Sequence, residues 1–341
     1  MSSLPSLLYK YNRSGAIFTL LIVVALNALF LWLIVWLKKK YPKYDLYNLF
    51  KKKLGVVLTK TMYLVFFALF FLKILLMISD GFTFIRDVAD SEYTIFNLFI
   101  CFMPIIGALA FSGIRNLGRT CEFFLPFVVV SLAFAIIFSY IPVSSWSFGS
   151  LGNASFQGFL NSFFRLSFWT GDLFAILIFL DKVDLKKGKI SHIFVPFTIM
   201  AILLIIIYFL YYTLYQETSI FHVNVLNDVV QYAIGTSQGW HMDIFAIVVF
   251  FINMYLQGAI LLFCANECIK KVLNYKINAV SLSTIVFALV ASEFLFLTDY
   301  KKYIYFAENI LCYFSAILIA LVPLVLVIFA LTQKENRNET T

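Results

Sequence analysis

Charge is scarce in this chain. Asp, Glu, Lys and Arg make up 13% of its 341 residues, about half the ~25% of a soluble globular domain. That excludes an ordinary soluble fold. The three histidines (His192, His222, His241) form no H-E-x-x-H pair, and no G-x-S-x-G elbow, P-loop or Rossmann glycine fingerprint occurs. The five cysteines (Cys101, Cys121, Cys264, Cys268, Cys312) lie in or beside apolar runs and lack the second pair or histidines of a zinc site. They read as small buried hydrophobes. The start of the chain lacks the charged n-region and small-residue cleavage site of a signal peptide, so none is expected. Enzyme chemistry, cofactor and metal therefore find no motif here.

What is abundant is apolar length. The chain is 62% hydrophobic, with a mean hydropathy of +0.92. A bilayer crossing takes about 20 mostly apolar residues. Nine such runs are present, at 16–37, 55–79, 94–112, 123–143, 156–180, 192–215, 243–265, 277–298 and 306–331. The expectation is an all-α polytopic membrane protein, one transporter-like domain over 1–332 with a short tail at 333–341. The first 13 residues, MSSLPSLLYKYNR, are too short to cross.

The loops give orientation. KKKYPKYDLYNLFKKK holds seven lysines, and with GIRNLGRT, DKVDLKKGK, CIKKVLNYK and the tail it carries 18 of the 26 Lys and Arg. The opposite side holds Lys10, Arg13, Arg86, Lys301 and Lys302. By the positive-inside rule the lysine-rich side and the C-terminus are cytoplasmic. The net charge of +8 then reflects topology, and no nucleic-acid partner is expected. The outer loops are 80–93 (acidic), 144–155 (Gly- and Ser-containing) and 216–242, in which VNVLNDVVQYAI suggests a short surface helix.

Ionisable groups at membrane depth are costly and usually face a protein interior or cavity. The segment RLSFWTGDLFAILIF (165–179) carries all its polarity in its first half. Thr170-Gly171-Asp172 reads as an unwound step between a short outer half-helix and an apolar inner half. Unpaired backbone survives in a bilayer only where it lines a cavity or meets a ligand. A plainer reading stays open: Gly171 is a packing glycine and Asp172 pairs with a neighbour such as Arg165. Lys73 and Lys60 read as snorkelling from span ends. Glu293 reads equally as an interior pair or as functional. Asp243 and Glu308 suit helix N-termini, and Arg119 with Glu122 suggests a local ion pair.

Four stretches resemble one family, the spore germination permeases. SGAIFTLLIVVALNALFLWLIVWLKKKYPKYDLYNLFKKKLGVVLTK (14–60) is similar to its second helix, following loop and third-helix start, through Lys40-Tyr41-Pro42, Leu46, Phe50 and Gly55. FSGIRNLGRTCEFFLPF (111–127) resembles its loop into helix five, with Gly113, Arg119, Glu122 and Pro126. FLNSFFRLSFWTGDLFAILIFL (159–180) resembles its broken sixth helix, and WHMDIFAIVVFFINMY (240–255) its eighth, with His241 in place of the usual arginine before Asp243. These permeases are the germinant-receptor B-subunit-like members of the amino acid–polyamine–cation transporter superfamily. The resemblance implies ten helices in two inverted five-helix repeats, with broken first and sixth helices around a midplane site. On that pattern, residues 2–7 stand at the unwound point and outer half of helix one, and its inner half is missing, leaving nine full helices and a half-helix.

The first functional reading is a germinant-receptor membrane subunit. It binds a small germinant, an amino acid, at Ser3, Phe168, Trp169, Thr170, Gly171 and Asp172, and acts with other receptor subunits in the spore inner membrane. Arg119, Glu122 and Asp243 are structural or gating positions. The second is a proton- or sodium-coupled amino-acid transporter, with Asp172 and Glu293 as coupling positions. The third, a membrane polysaccharide polymerase or acyltransferase, calls for an outer loop with Arg and His clusters, and 216–242 has no arginine.

Overall fold

The computed structural model describes residues 4–12, 15–40, 46–89, 95–138, 155–179, 182, 191–215, 218, 243–274, 285–286, 289, 307–318, 322 and 325. Helices account for nearly all of these. They are α1 (Leu4–Asn12), α2 (Ala16–Lys40), α3 (Leu46–Leu54), α4 (Val56–Ala89), α5 (Ile95–Phe111), α6 (Ile114–Phe138), α7 (Phe156–Thr170), a 3₁₀ turn (Gly171–Leu173), α8 (Phe174–Phe179), α9 (Ser191–Tyr215) and α10 (Asp243–Leu273). A π turn at Ala307–Leu311 opens a last short apolar helix, Asn309–Leu318. Among the described residues, five helices are long and apolar enough to cross a membrane: Ala16–Lys40, Val56–Gly81, Ile114–Phe134, Ser191–Tyr215 and Ile247–Leu273.

Several expected boundaries move. The acidic stretch after 79 does not break the helix, because α4 runs on to Ala89. Its continuation is held by packing: Phe84 stacks on Phe250 of α10 at 3.9 Å, and Gly81 admits the Met254 tip. GIRNLGRT is not a loop from end to end. Gly113, at φ +86°, ends α5 in the left-handed region that glycine tolerates, and α6 starts at Ile114. Gly55, at φ +82°, separates α3 from α4 in the same way. The lysine-rich connection thus contains a short helix, with Tyr47 and Phe50 buried and Lys51 and Lys52 exposed. Most of 277–298, and the surface helix suggested within 216–242, lie outside the described residues.

Hydrophobic stripes separate lipid from protein. On α2, Phe18, Ile22, Leu26, Leu29 and Trp36 are exposed, while Leu20, Val23, Asn27, Phe30 and Ile34 are buried. On α6 the exposed row is Phe123, Phe127, Val130, Phe134 and Ile137. Both faces are apolar, since lipid tails are as apolar as a core.

The buried residues form two clusters. One gathers the C-terminal half of α2, α3, α4, α5, α8 and α10. The other gathers α1, the N-terminal half of α2, the middle of α6, Leu166 of α7, and α9. Within the first, α4 and α10 interlock through reciprocal notches. Met77 and Ile106 tips fill the space over Gly258, and the Met254 tip fills that over Gly81. Small residues let helices approach closely in this manner.

A contrast between two glycines follows. A Cβ at Gly158 of α7 meets the Tyr11 carbonyl oxygen of α1 at 2.6 Å, whereas one at Gly258 meets the Met77 Cε at 2.8 Å. Backbone cannot yield and a methionine tip can. Gly158→Ala is expected to lower thermal stability in detergent by about 1–3 kcal/mol, and Gly258→Ala by less. Equal losses contradict this packing.

Candidate functional site

The site is built where one helix changes winding. Ser155 caps α7, its Oγ accepting from the Gly158 N–H at 2.9 Å. The α-helix ends at Thr170, three residues adopt 3₁₀ geometry, and α8 resumes at Phe174. Mid-helix 3₁₀ stretches often mark hinges. Here the break also separates the clusters: Leu166 belongs to the second, Phe174 and the rest of α8 to the first. Phe174 is fully buried between Phe30 of α2 and Phe66 of α4, at ring distances of 5.6 and 5.5 Å. So α8 is anchored at its first residue, while α7 packs on α1 and α2.

Asp172 stands in the break. Its Oδ1 accepts from Lys73 Nζ of α4 at 2.6 Å, and its Oδ2 accepts from Gln257 Nε2 of α10 at 2.6 Å. Lys73 is 6% exposed and Asp172 28%. One carboxylate thus ties the broken helix to both members of the interlocked α4–α10 pair. Charge-assisted bonds of this length are the strong kind.

Two expectations change here. Lys73 does not snorkel: α4 continues well past it, so its amine is nowhere near a helix end and is neutralised by Asp172 instead. Arg165 does not pair with Asp172. Seven residues of helix put about 10 Å of axial rise between them, and each group is taken by a different helix. Asp172 turns toward α4 and α10, and the Arg165 guanidinium lies 3.6 Å over the Tyr11 ring. Arg119 and Glu122 are both exposed on α6, and no ion pair joins them among the described residues. With the cation N-terminal to the anion, their order is the less favourable one on a helix.

Phe168, Trp169 and Thr170 close the last turn of α7 and Gly171 opens the 3₁₀ turn, but their side chains lie outside what is described. The same holds for the side chain of Asp243, first residue of α10. Ser3 and Glu293 lie outside the described residues altogether.

Gln257 and Glu267 were not singled out from sequence. Glu267 of α10 is 10% exposed and binds Lys182 at 2.8 Å and Lys270 at 3.0 Å. Lys182 also lies 5.0 Å over the Phe263 ring. This links the segment just after α8 to α10. Lys270, three residues on, was a visible local partner; Lys182 was not. Lys182 is 36% exposed, and Lys270 remains if it is lost. Lys182→Ala should therefore cost no more than about 1 kcal/mol in thermal unfolding, and a larger loss contradicts that assignment. Cys264, Cys268 and Cys312 are buried among apolar side chains, as expected.

Five apolar, membrane-length helices among the described residues define an all-α, multi-pass membrane protein. The chain belongs to the spore germination protein family, whose sequence model matches residues 3–302. No curated protein matches it.

Proposed function

We propose that this protein is the membrane subunit of a spore germinant receptor and that it binds a small amino-acid germinant at the broken helix. One observation carries the reading. The two halves of a single helix belong to different cores, and Asp172 at their junction is clamped by Lys73 and Gln257. Such a junction can be switched: ligand bound there favours one placement of α7 on α1 and α2, relative to the turn held on α4 and α10, over another. A ligand shifts the balance only by its difference in affinity for the two states.

The chemistry suits a zwitterion. The free N–H groups at the start of a half-helix attract a carboxylate. Phe168 and Trp169 offer aromatic faces to an ammonium. Thr170 and Gly171 supply a hydroxyl and a small backbone position, and the family resemblance sets Ser3 at the unwound point of helix one. Family membership supports the wider picture: a transporter-type fold of two inverted five-helix repeats, the nine long apolar runs and the N-terminal half-helix in one membrane domain, a cytoplasmic C-terminus, companion receptor subunits and the spore inner membrane. In it Arg119, Glu122 and Asp243 shape gating. The family assignment favours this over enzyme chemistry.

A second reading is a proton- or sodium-coupled amino-acid transporter, with Asp172 and Glu293 as coupling groups. The Lys73–Asp172 pair favours it, because a buried ion pair is a natural place to store or release a proton. Proteoliposomes given labelled amino acids and a pH gradient separate the two. A receptor shows no gradient-driven uptake above empty vesicles. Uptake that loses its pH dependence in Asp172→Asn establishes the transporter instead.

A further inference from the structure

Among the described residues, Arg165 is a buried cation without an anion. It is 8% exposed, sits over Tyr11, and makes its one hydrogen bond, from Nη1 to the Asn161 carbonyl, at 3.4 Å. Its Nε has no partner. The nearest acid along its own helix, Asp172, is occupied by Lys73 and Gln257. Two more buried polar atoms on α1 and α7 have no partner among the described residues. Ser162 Oγ lies one turn earlier on α7, and Asn12 Oδ1 is on α1, in residues 0% and 5% exposed. The Asn12 amide is otherwise engaged, donating to Thr19 Oγ1 at 2.9 Å.

These groups share one seam. Gly158, Ser162 and Arg165 are spaced four and three apart, on one face of α7. At one end of that row Gly158 abuts the Tyr11 carbonyl, and at the other Arg165 stacks on the Tyr11 ring. We infer that the α1–α7 seam is a carboxylate-binding site whose charge is Arg165. Its occupant is the α-carboxylate of a small amino acid.

The argument is one of unspent chemistry. A lone charge in an apolar interior is among the costliest features a fold can carry. A guanidinium stacked face-on over an aromatic ring keeps its edge free, and that edge matches a carboxylate in bidentate geometry. Here the Nε side of the edge is the unused one. The Ser162 hydroxyl adds a donor for the same carboxylate. Asn12 Oδ1 is an acceptor, the complement of an ammonium. Unpartnered donors and an unpartnered acceptor along one seam match the two ends of a zwitterion. This assignment rests on the reading that the ligand is a small amino acid, and it gives the carboxylate to Arg165 in place of the N–H groups at the break. It adds residues that the break itself does not contain.

The test is thermal unfolding of the purified, detergent-solubilised full chain with glycine, L-alanine, propionate, L-alaninamide or sodium chloride. Glycine, L-alanine and propionate are expected to raise the Tm of the wild type, since a ligand of the folded state alone stabilises it by mass action. L-Alaninamide, lacking the carboxylate, is expected to leave it unmoved. In Arg165→Gln the apparent affinity for the carboxylates falls by about 30-fold or more. That variant unfolds no earlier than wild type without ligand, because a neutral amide is cheaper to bury than an unpaired cation. Ser162→Asp is the second variant. It supplies an internal carboxylate one turn from Arg165, and should remove the response to added carboxylate while Arg165 stays in place.

No Tm rise with any carboxylate, an equal rise with L-alaninamide or with chloride, or an undiminished rise in both variants overturns the inference. Gly171→Leu separates it from the reading above. If the rise survives Arg165→Gln but not Gly171→Leu, the break binds the ligand and this assignment falls. If it survives Gly171→Leu but not Arg165→Gln, the seam holds the ligand and the break does not.

Discussion

Lys73→Met is expected to unfold far more easily than the wild type, while the double variant Lys73→Met, Asp172→Leu recovers most of the loss. The single change leaves the Asp172 carboxylate with Gln257 as its remaining partner in an otherwise apolar setting. Removing one member of a buried pair typically costs about 3–5 kcal/mol, whereas replacing both by apolar groups is often neutral. Asp172 keeps some contact with its surroundings, at 28% exposure, so the lower end of that range applies. A double-mutant cycle on detergent-solubilised protein isolates the coupling. A single variant as stable as wild type, or a double variant worse than the single, means the pair does not hold α4 to the break. Recovery of stability is not recovery of function: without Asp172 the broken helix loses its charged link to α4.

Gly171→Leu is expected to abolish the response to germinant while leaving the protein folded. Gly171 opens the 3₁₀ turn, and on the proposed reading a leucine side chain there takes the ligand's place. The fold survives because α8 is fixed independently, through Phe174 against Phe30 and Phe66 and through Phe179 stacked on Phe263. The expected pattern is near-normal abundance and melting with no ligand-dependent effect. A full germinant response in Gly171→Leu removes the break from the binding site. Loss of the folded protein in this variant shows instead that the turn is a packing element, and contradicts the hinge.

The long helices were legible because apolar runs of bilayer length have few alternatives. The runs 16–37 and 192–215 lie within α2 and α9. A glycine and an acid interrupting an apolar segment marked the place of the winding change, but not its kind: the expected unwound step is a helix that stays wound, α to Thr170 and 3₁₀ over Gly171–Leu173. What could not be read was direction. On α2 or α6 the lipid face and the core face are equally apolar, so hydrophobic periodicity carries no signal about which side is buried. The Lys73–Asp172 contact was hidden for the same reason. Its members stand 99 residues apart, and a lysine in a span reads as a snorkeller until α4 is seen to run beyond it. Gln257 is one of three amides in a long, mostly apolar helix, with Asn253 and Asn266, and nothing local flags it. Boundaries failed where tertiary packing extends a helix, as Phe84 on Phe250 does for α4.

The architecture and its proposed mechanism meet in one claim: germinant at the broken helix reports through the Asp172 clamp. The most direct measurement is dipicolinate release from spores deleted for this gene alone, challenged with a panel of amino acids and complemented with wild type, Gly171→Leu or Asp172→Asn. The account predicts loss of response to at least one amino acid, restored by the wild-type gene and by neither variant. Deletion spores that respond to every amino acid as wild-type spores do, or restoration by Gly171→Leu, contradict it.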